Sequence, residues 1–246
     1  MNTPMKTLVI DVGGTHIKLL ATGQKEALKI VSGPVMTAEE MVRDVLTATS
    51  HWDYQVVSMG YPGPVVDGRP LSEPHNLGAG WIELDYQGRF GRPVRLINDA
   101  AMQALGSYQG GRMLFLGLGT GLGSAMVIGK TVVPLELAHL PYRKGRTFED
   151  YVGLRGLDRF GKKKWHRAVA DVVRRLKAAV VADYVVLGGG NAKRLRSLPP
   201  DARLGDNRNA FLGGFRLWEE DVSIASPSHP SYGPSPSLPS EAWGNR

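Results

Sequence analysis

Apolar and polar positions alternate along this chain with two periods, and the switches between them mark its elements. KTLVIDVGG (residues 6–14) is a continuous apolar run closed by a glycine pair, the pattern of a fully buried strand ending in a turn. HIKLLAT (16–22) alternates Ile17, Leu19 and Ala21 with other residues and predicts the returning strand of a hairpin. TAEEMVRDVLTAT (37–49) opens on Thr37 with Glu40 three positions on, which predicts a helix with a capping box. YQVVSMG (54–60) and RPVRLIN (92–98) predict two more strands on either side of a Gly- and Pro-rich loop region, and a helix is expected over 99–109. A second strand, turn and strand occupies 114–128. In WHRAVADVVRRLKAAVVA (165–182), Val169, Val172, Val173, Leu176, Ala179 and Val180 share one helical stripe. DYVVLGGGNAKRL (183–195) predicts a strand, a glycine loop and a helix.

Strand, glycine turn and strand therefore occur twice, at 7–22 and 114–128, each time with helices and another strand after them. Such a repeat of an α/β unit predicts two related lobes, 1–98 and 99–222. From residue 223 to 246 the chain reads SIASPSHPSYGPSPSLPSEAWGNR, rich in Ser and Pro and poor in apolar residues, which predicts a disordered tail.

Composition narrows the class. The 246 residues are 42% hydrophobic and 22% charged, which suits one compact unit or two small lobes. There is no cysteine, so disulfides and thiolate metal sites are excluded. No apolar stretch approaches a membrane span, and the N-terminal residues lack a basic region followed by a long apolar run. A soluble, cytoplasmic protein with no membrane partner is the expectation. The net charge of +7 is uneven: residues 143–177 hold twelve Lys and Arg against four Asp and Glu, a local +8, which leaves −1 for the rest. Such a field favours an anionic partner, although a solvated helix face has the same composition.

The candidate chemistry sits on the glycine turns. In LFLGLGTGLGSAMV (114–127), glycines alternate at 117, 119, 121 and 123. Neither a G-x-G-x-x-G dinucleotide fingerprint nor a G-K-[ST] phosphate loop fits, so the choice lies between phosphate cradling and a tight hairpin. In DVGGTHIK, Asp11 ends a strand, Gly13 and Gly14 make the turn and Thr15 adds a hydroxyl and an amide. Such a nest binds phosphate oxygens and its carboxylate holds Mg²⁺ through water, unless it is a plain β-turn. With LGGGN at 187–191, three glycine turns each end a buried strand, where open α/β sheets bind ligands. In LINDAAMQALG, Asp99 ends a strand and opens a helix. It is either a helix cap or the base that phosphoryl transfer requires, with Asn98 beside it to orient the acceptor.

In this order, DxGGT, G-x-P-G, Asn76 with Trp81, NDA, LGTGxG, E-x-x-H and GGG resemble the repressor/open-reading-frame/kinase (ROK) sugar kinases of the hexokinase–actin superfamily, from Leu8 to about Trp218. The resemblance implies an α/β fold of two actin-like lobes (hexokinase-type, ribonuclease H-like) with a sugar in the cleft. It implies that Asp11, Gly13, Gly14, Thr15, Gly119, Thr120 and Gly121 bind donor phosphates and Mg²⁺, that Gly188, Gly189 and Gly190 lie near a nucleoside, and that Asn98, Asp99, Glu136, His139 and Glu149 hold the sugar. Members of this family often carry a cysteine-rich zinc-binding segment after the histidine. Here HLPYRKGRTFEDYVG (139–153) has no cysteine, although Glu149 and Tyr151 fit that segment's end, so no zinc is expected. His139 is then free for sugar hydroxyls, a structural use of a single histidine staying open. Leu135 and Ala138 stand where the family usually has glycine, which leaves the sugar undecided.

A short, basic, zinc-free chain is similar to the polyphosphate glucokinases of the family. The resemblance implies phosphorylation of glucose, or a close aldohexose, at O6, with polyphosphate or ATP as donor and Asp99 as base. A kinase of another hexose or an N-acetylhexosamine is the alternative, and a non-catalytic sugar-binding protein a weaker one. Some relatives are repressors with a DNA-binding segment ahead of the kinase-like part. With DVGG beginning at Asp11, no nucleic-acid partner is expected. Homodimers are common among such kinases, so a homodimer is implied.

Overall fold

The computed structural model describes residues 5–206 and 208–225. In chain order the first half contains β1 (Thr7–Val12), β2 (His16–Ala21), β3 (Leu28–Val31), α1 (Ala38–Ala48), β4 (Val56–Tyr61), a small hairpin of β5 (Val65–Val66) and β6 (Arg69–Pro70), α2 (Tyr86–Phe90) and β7 (Val94–Asn98). The second contains α3 (Asp99–Ser107), β8 (Arg112–Leu118), β9 (Leu122–Ile128), β10 (Thr131–Leu135), β11 (Pro141–Arg143), β12 (Arg146–Thr147), α4 (Phe148–Val152), α5 (Leu154–Ala179), β13 (Tyr184–Gly188), β14 (Ala202–Leu204), α6 (Asn209–Arg216) and β15 (Ser223–Ile224).

The repeat read from the sequence is a repeat of topology. One sheet runs β3-β2-β1-β4-β7 and the other β14-β13-β8-β9-β10-β15. In each, an opening strand (β1 or β8) sits centrally, an antiparallel meander extends to one side, and two parallel strands extend to the other. The central strands β1 and β4 are buried at every position, as a sheet covered on both faces requires. The half-covered β2 buries Ile17, Leu19 and Ala21 in alternation. At the start of α1, Glu40 N–H donates to Thr37 Oγ1 (3.3 Å) while Thr37 N–H donates to Glu40 Oε2 (2.9 Å), the capping box that the spacing predicts.

Two core regions back the outer faces of the sheets, one around α1 and Trp81, the other around α5 and Trp165. A third lies between the sheets, where α3 and α6 bring Met102, Leu105 and Phe211 against Val9, Ile97 and Phe115. Helix α6, late in the chain, returns to the first sheet: Ser58 Oγ donates to Gly214 O (2.6 Å) and Trp218 Nε1 donates to Ser58 Oγ (2.9 Å). A boundary at 98/99 thus separates the two sheets, while the buried core runs across it.

Three local expectations differ from the structure. Ser223–Ile224, placed by the sequence at the head of a disordered tail, pairs in parallel with Thr131–Val132. The exposed edge of β10 offers unpaired backbone groups that two residues of any composition satisfy. Residues 226–246 of the expected tail lie outside the described residues. After the third glycine loop only a 3₁₀ turn forms, Ala192–Arg194. Helix α5 begins well before residue 165 and breaks at Gly161 (φ +71°), and on its stripe Ala179 is exposed.

Candidate active site

Four strand ends supply the site: β1 and β7 from one sheet, β8 and β13 from the other. At the end of β1, Asp11 is 6% exposed and faces Lys18 across the hairpin register, and Lys18 Nζ donates to Asp11 Oδ2 at 2.9 Å. The turn that follows is closed by Gly13 N–H donating to His16 O (3.2 Å) and Ser32 Oγ donating to Gly13 O (2.6 Å). Thr15 is exposed, and its hydroxyl lies 3.3 Å from His16 Nδ1. A Cβ on Gly14 would stand 2.9 Å from Asn76 Cβ, so the loop containing Asn76 leans directly on this turn. That loop is held in turn by Glu73, whose carboxylate accepts from the backbone N–H groups of Gly80 and Trp81. Trp81 itself is fully buried against Tyr61 rather than lining the cleft.

At the end of β7 the two neighbouring polar residues divide the work. Asn98 is the helix cap: Ala101 N–H donates to its Oδ1 (3.1 Å), and its Nδ2 donates to Gly63 O (3.0 Å). Asp99, the first residue of α3, is only partly buried and accepts from Ala100 N–H at 2.7 Å. Its carboxyl is pushed up to about 7, first by desolvation and then by the charge of Asp11, with Glu136 adding, while the Ala100 N–H and Lys18 pull it down. Asp11, Lys18, Asp99 and Glu136 are therefore one electrostatic group drawn from both lobes.

The alternating glycines between β8 and β9 have two separate uses. Gly117 and Gly123 are paired ladder residues, and a Cβ on Gly123 would come within 2.7 Å of Ala100 Cβ, so this glycine admits α3. Gly119 and Gly121 form the turn itself, with Gly119 N–H donating to Gly121 O at 3.1 Å. The third glycine loop locks onto this turn. Asn191 N–H donates to Leu118 O (2.9 Å) and its Nδ2 to Gly119 O (2.8 Å). Gly189 has φ +79°, and a Cβ there would lie 2.6 Å from the Leu118 carbonyl. Gly188 is buried beside Phe115, and Gly190 is exposed at the edge of the loop.

Glu136, His139 and Glu149 close the far side. Ser124 Oγ donates to Leu135 O (2.7 Å) and accepts from Leu137 N–H (3.2 Å), which fixes the turn carrying Glu136. Glu149 N–H donates to Ala138 O (3.0 Å), joining α4 to the same turn. Glu136 and His139 are exposed residues, yet crowding around the Glu136 carboxyl raises its pKa, with His139 opposing and Glu149 reinforcing. Glu149 reaches further than its sequence position suggests. Its Oε2 accepts from Leu122 N–H (3.3 Å) and packs on Gly121, where a side chain would collide with it. Its Oε1 accepts from Arg155 Nη2 (3.1 Å).

The structure brings Asp11, Lys18, Asp99 and Glu136 within electrostatic reach of one another and ties Glu149, Gly189 and Asn191 to the 118–122 turn, while Trp81 lies in the core and Gly117 and Gly123 in the ladder. Sequence reasoning missed Lys18, Asn191 and Arg155, which act by pairing with chosen residues. Lys18 had a signal, since it stands opposite Asp11 once DVGGTHIK is read as a hairpin. Among the described residues no group of three or more His, Asp or Glu side chains could enclose a metal ion. The residues do fit a Mg²⁺ that takes most of its ligands from phosphate and water. Lys18 occupies one Asp11 oxygen, Oδ2, and Asp11 stands at the end of the strand that enters the Gly13–Gly14 turn, close enough for its charge to act on Asp99.

The sequence pattern of the ROK family matches residues 7–134, just over half of the chain, and the chain belongs to this family. It is 25% identical over 207 residues to the polyphosphate glucokinase of Mycobacterium tuberculosis (strain CDC 1551 / Oshkosh), covering 75% of this chain and 77% of that protein. In three dimensions it is similar to the inorganic polyphosphate/ATP-glucomannokinase of Arthrobacter sp. strain KM, with a TM-score of 0.72, 24% identity, and coverage of 86% of this chain and 97% of that one. It is likewise similar to a ROK family glucokinase from Streptomyces griseus solved with glucose and AMPPNP, with a TM-score of 0.66, 18% identity, and coverage of 86% and 98%. The fold is accordingly the two-lobed, actin-like, hexokinase-type α/β fold.

Proposed function

We propose that this protein is a sugar kinase of the glucokinase type, which transfers a phosphoryl group from polyphosphate or ATP to O6 of glucose or a close aldohexose. The observation that carries the reading is Asp99: a carboxyl at the head of α3, pushed up to about 7 by burial and by the charges of Asp11 from the first sheet and Glu136 from the second half of the chain. A base with a pKa near the working pH combines a useful fraction of carboxylate with real affinity for the proton it removes. Asp99 takes the proton of the acceptor hydroxyl as its oxygen attacks the terminal phosphorus, and the bridging P–O bond of the donor breaks to release ADP or a polyphosphate one unit shorter. Asn98 holds the head of α3, and so the position of Asp99, through its own two hydrogen bonds. Glu136, His139 and Glu149 bracket the sugar from the second lobe. Gly13 and Gly119 close the two turns through their own amides, and the backbone amides of Gly14, Thr15, Thr120 and Gly121 hold the donor phosphates. Asp11 would hold Mg²⁺, which would neutralise phosphate charge. Membership of the family, and similarity to a polyphosphate glucokinase and a polyphosphate/ATP-glucomannokinase, support this substrate pair.

The test crosses donors (ATP, GTP, short and long polyphosphate) with sugars (glucose, mannose, N-acetylhexosamines), for the natural chain and for Asp99→Asn. Glucose 6-phosphate is expected as the preferred product. Asp99→Asn should lower turnover by about 10²–10⁴-fold with sugar binding retained, because proton acceptance alone is lost. Near-normal turnover in Asp99→Asn would sink the assignment.

A further inference from the structure

One cation at the site is not accounted for by the roles above. Arg155 lies in the first turn of α5, and this turn is stitched to the second glycine loop: Leu154 N–H donates to Gly119 O (3.2 Å) and Thr120 O (3.1 Å), and a Cβ on Gly153 would stand 2.8 Å from Thr120 O. The Arg155 side chain is 69% exposed and its guanidinium makes one ion pair among the described residues, to Glu149. The Glu149 side chain is 19% exposed, and it spans from Arg155 to the backbone N–H of Leu122 while resting on Gly121. An anionic oxygen pair is thereby held between a loop amide and a guanidinium, as a phosphate lying on the loop would be held.

We propose that Arg155 is a donor-binding side chain, and that in the free protein the Glu149 carboxylate holds it at the mouth of the 119–121 loop. This inference rests on the reading of that loop as the donor phosphate site. Arginine suits the role for three reasons. Its planar fork matches two phosphate oxygens at once. Its attachment beside Leu154 fixes its root to the loop that the phosphate enters. Its exposure lets the fork turn from Glu149 to an incoming phosphate without unpacking anything. When the guanidinium moves to the donor, Glu149 is left to Leu122 N–H and to the sugar side of the cleft, where Glu136 already senses its charge.

The experiment compares Arg155→Ala, Arg155→Lys and a control, Arg174→Ala, which removes an equal charge near the far end of α5, where Arg174 pairs with Asp171. Two readouts are taken: binding of inorganic tripolyphosphate by calorimetry, and KM for donor and for sugar separately. Arg155→Ala should weaken tripolyphosphate binding and raise donor KM by about ten- to hundredfold, the range of a lost charge-assisted pair. Sugar KM should move little, Arg155→Lys should recover part of the loss, and Arg174→Ala should match the natural chain. Should Arg155→Ala fold poorly, Arg155→Lys decides, because it keeps charge and stem and loses only the fork. If the natural chain binds tripolyphosphate and neither Arg155 variant changes donor affinity by more than about twofold, less than half a kcal/mol, the inference falls and the kinase reading stands. If the natural chain phosphorylates no sugar, the kinase reading falls while the binding arm still judges Arg155. If tripolyphosphate does not bind the natural chain, donor KM decides: a change of less than about twofold in both Arg155 variants overturns the inference, and sugar phosphorylation judges the kinase reading separately.

Discussion

Asp99 is a carboxyl that the folded chain holds at an energetic disadvantage, and the sign of that disadvantage makes it measurable. Its folded pKa of about 7 lies above the ordinary 3.8, so between these values the folded state binds a proton that the unfolded state does not. Stability contributed at this site is therefore greatest below about pH 4 and falls as pH rises toward 7, opposite to the trend of a salt-bridged aspartate. Asp99→Asn removes the charge, so its melting temperature should exceed that of the natural chain at pH 8 and the gap should narrow at pH 5. The same titration governs catalysis with the other sign. The base must be deprotonated, so kcat/KM should rise with pH through an apparent pKa near 7. Asp11→Asn should move that limb to lower pH, because it deletes the charge that raises Asp99 and frees Lys18 to lower it. A flat profile from pH 6 to 8, or a limb that ignores Asp11, would remove Asp99 from the role of base.

Among the elements, the three glycine turns differ in what glycine does for each. Gly14 lets the Asn76 loop lean on the first turn, Gly121 gives room to the Glu149 carboxylate, and Gly189 carries a positive φ directly under the Leu118 carbonyl. Gly189 is the most restrictive of these, since both its dihedral and its surroundings exclude a side chain. Gly189→Ala should destabilise the chain by about 1–3 kcal/mol. It should also raise donor KM, since the displaced loop carries Asn191, whose two bonds set the carbonyls of Leu118 and Gly119. Gly190→Ala, with open space at its Cβ position, is the matched comparison. A denaturant melt with donor kinetics on the pair checks this, and equal effects would mean that the loop is looser than its geometry implies.

At the scale of the whole molecule, the basic segment divides into a neutralised half and a bare half. Asp171 accepts from Tyr142, Arg143, Arg174 and Arg175, and Lys177 pairs with Asp201. Lys162, Lys163 and Lys164 are exposed just after the break at Gly161 and make no ion pair among the described residues. The field that the composition implied is thus concentrated on the half of α5 that begins at the second glycine loop. A long polyanion would meet these lysines and release counterions on binding, whereas ATP is short enough to be held by the glycine turns. Lys162, Lys163 and Lys164 changed together to Glu should raise KM for long polyphosphate far more than KM for ATP. Raising salt from about 50 to 200 mM should imitate that change. Equal, small effects on both donors would mark the lysines as a solvated surface.

What the sequence determined by itself is what local pattern encodes. Buried strands, their glycine ends, the Thr37 capping box and the doubled strand–turn–strand unit follow from periods of two and 3.6 residues and from glycine's freedom at a turn. Since ligands collect at the carboxyl ends of such strands, Asp11, Asp99 and the three glycine loops are legible from the sequence as one candidate site. What only the tertiary structure decided is which of these groups meet. Asn98 rather than Asp99 caps α3, which leaves the Asp99 carboxyl to the cleft. Gly117 and Gly123 serve the ladder and α3 instead of a ligand. Helix α6 returns across more than a hundred residues to close the core between the sheets, and Ser223–Ile224 joins a sheet edge despite its polar setting. Arg155 finds Glu149, and Asn191 finds Gly119, through pairings that no spacing along the chain announces. Such contacts are chosen by satisfying buried donors, acceptors and volume across distant segments, and that requirement has no signature in local sequence.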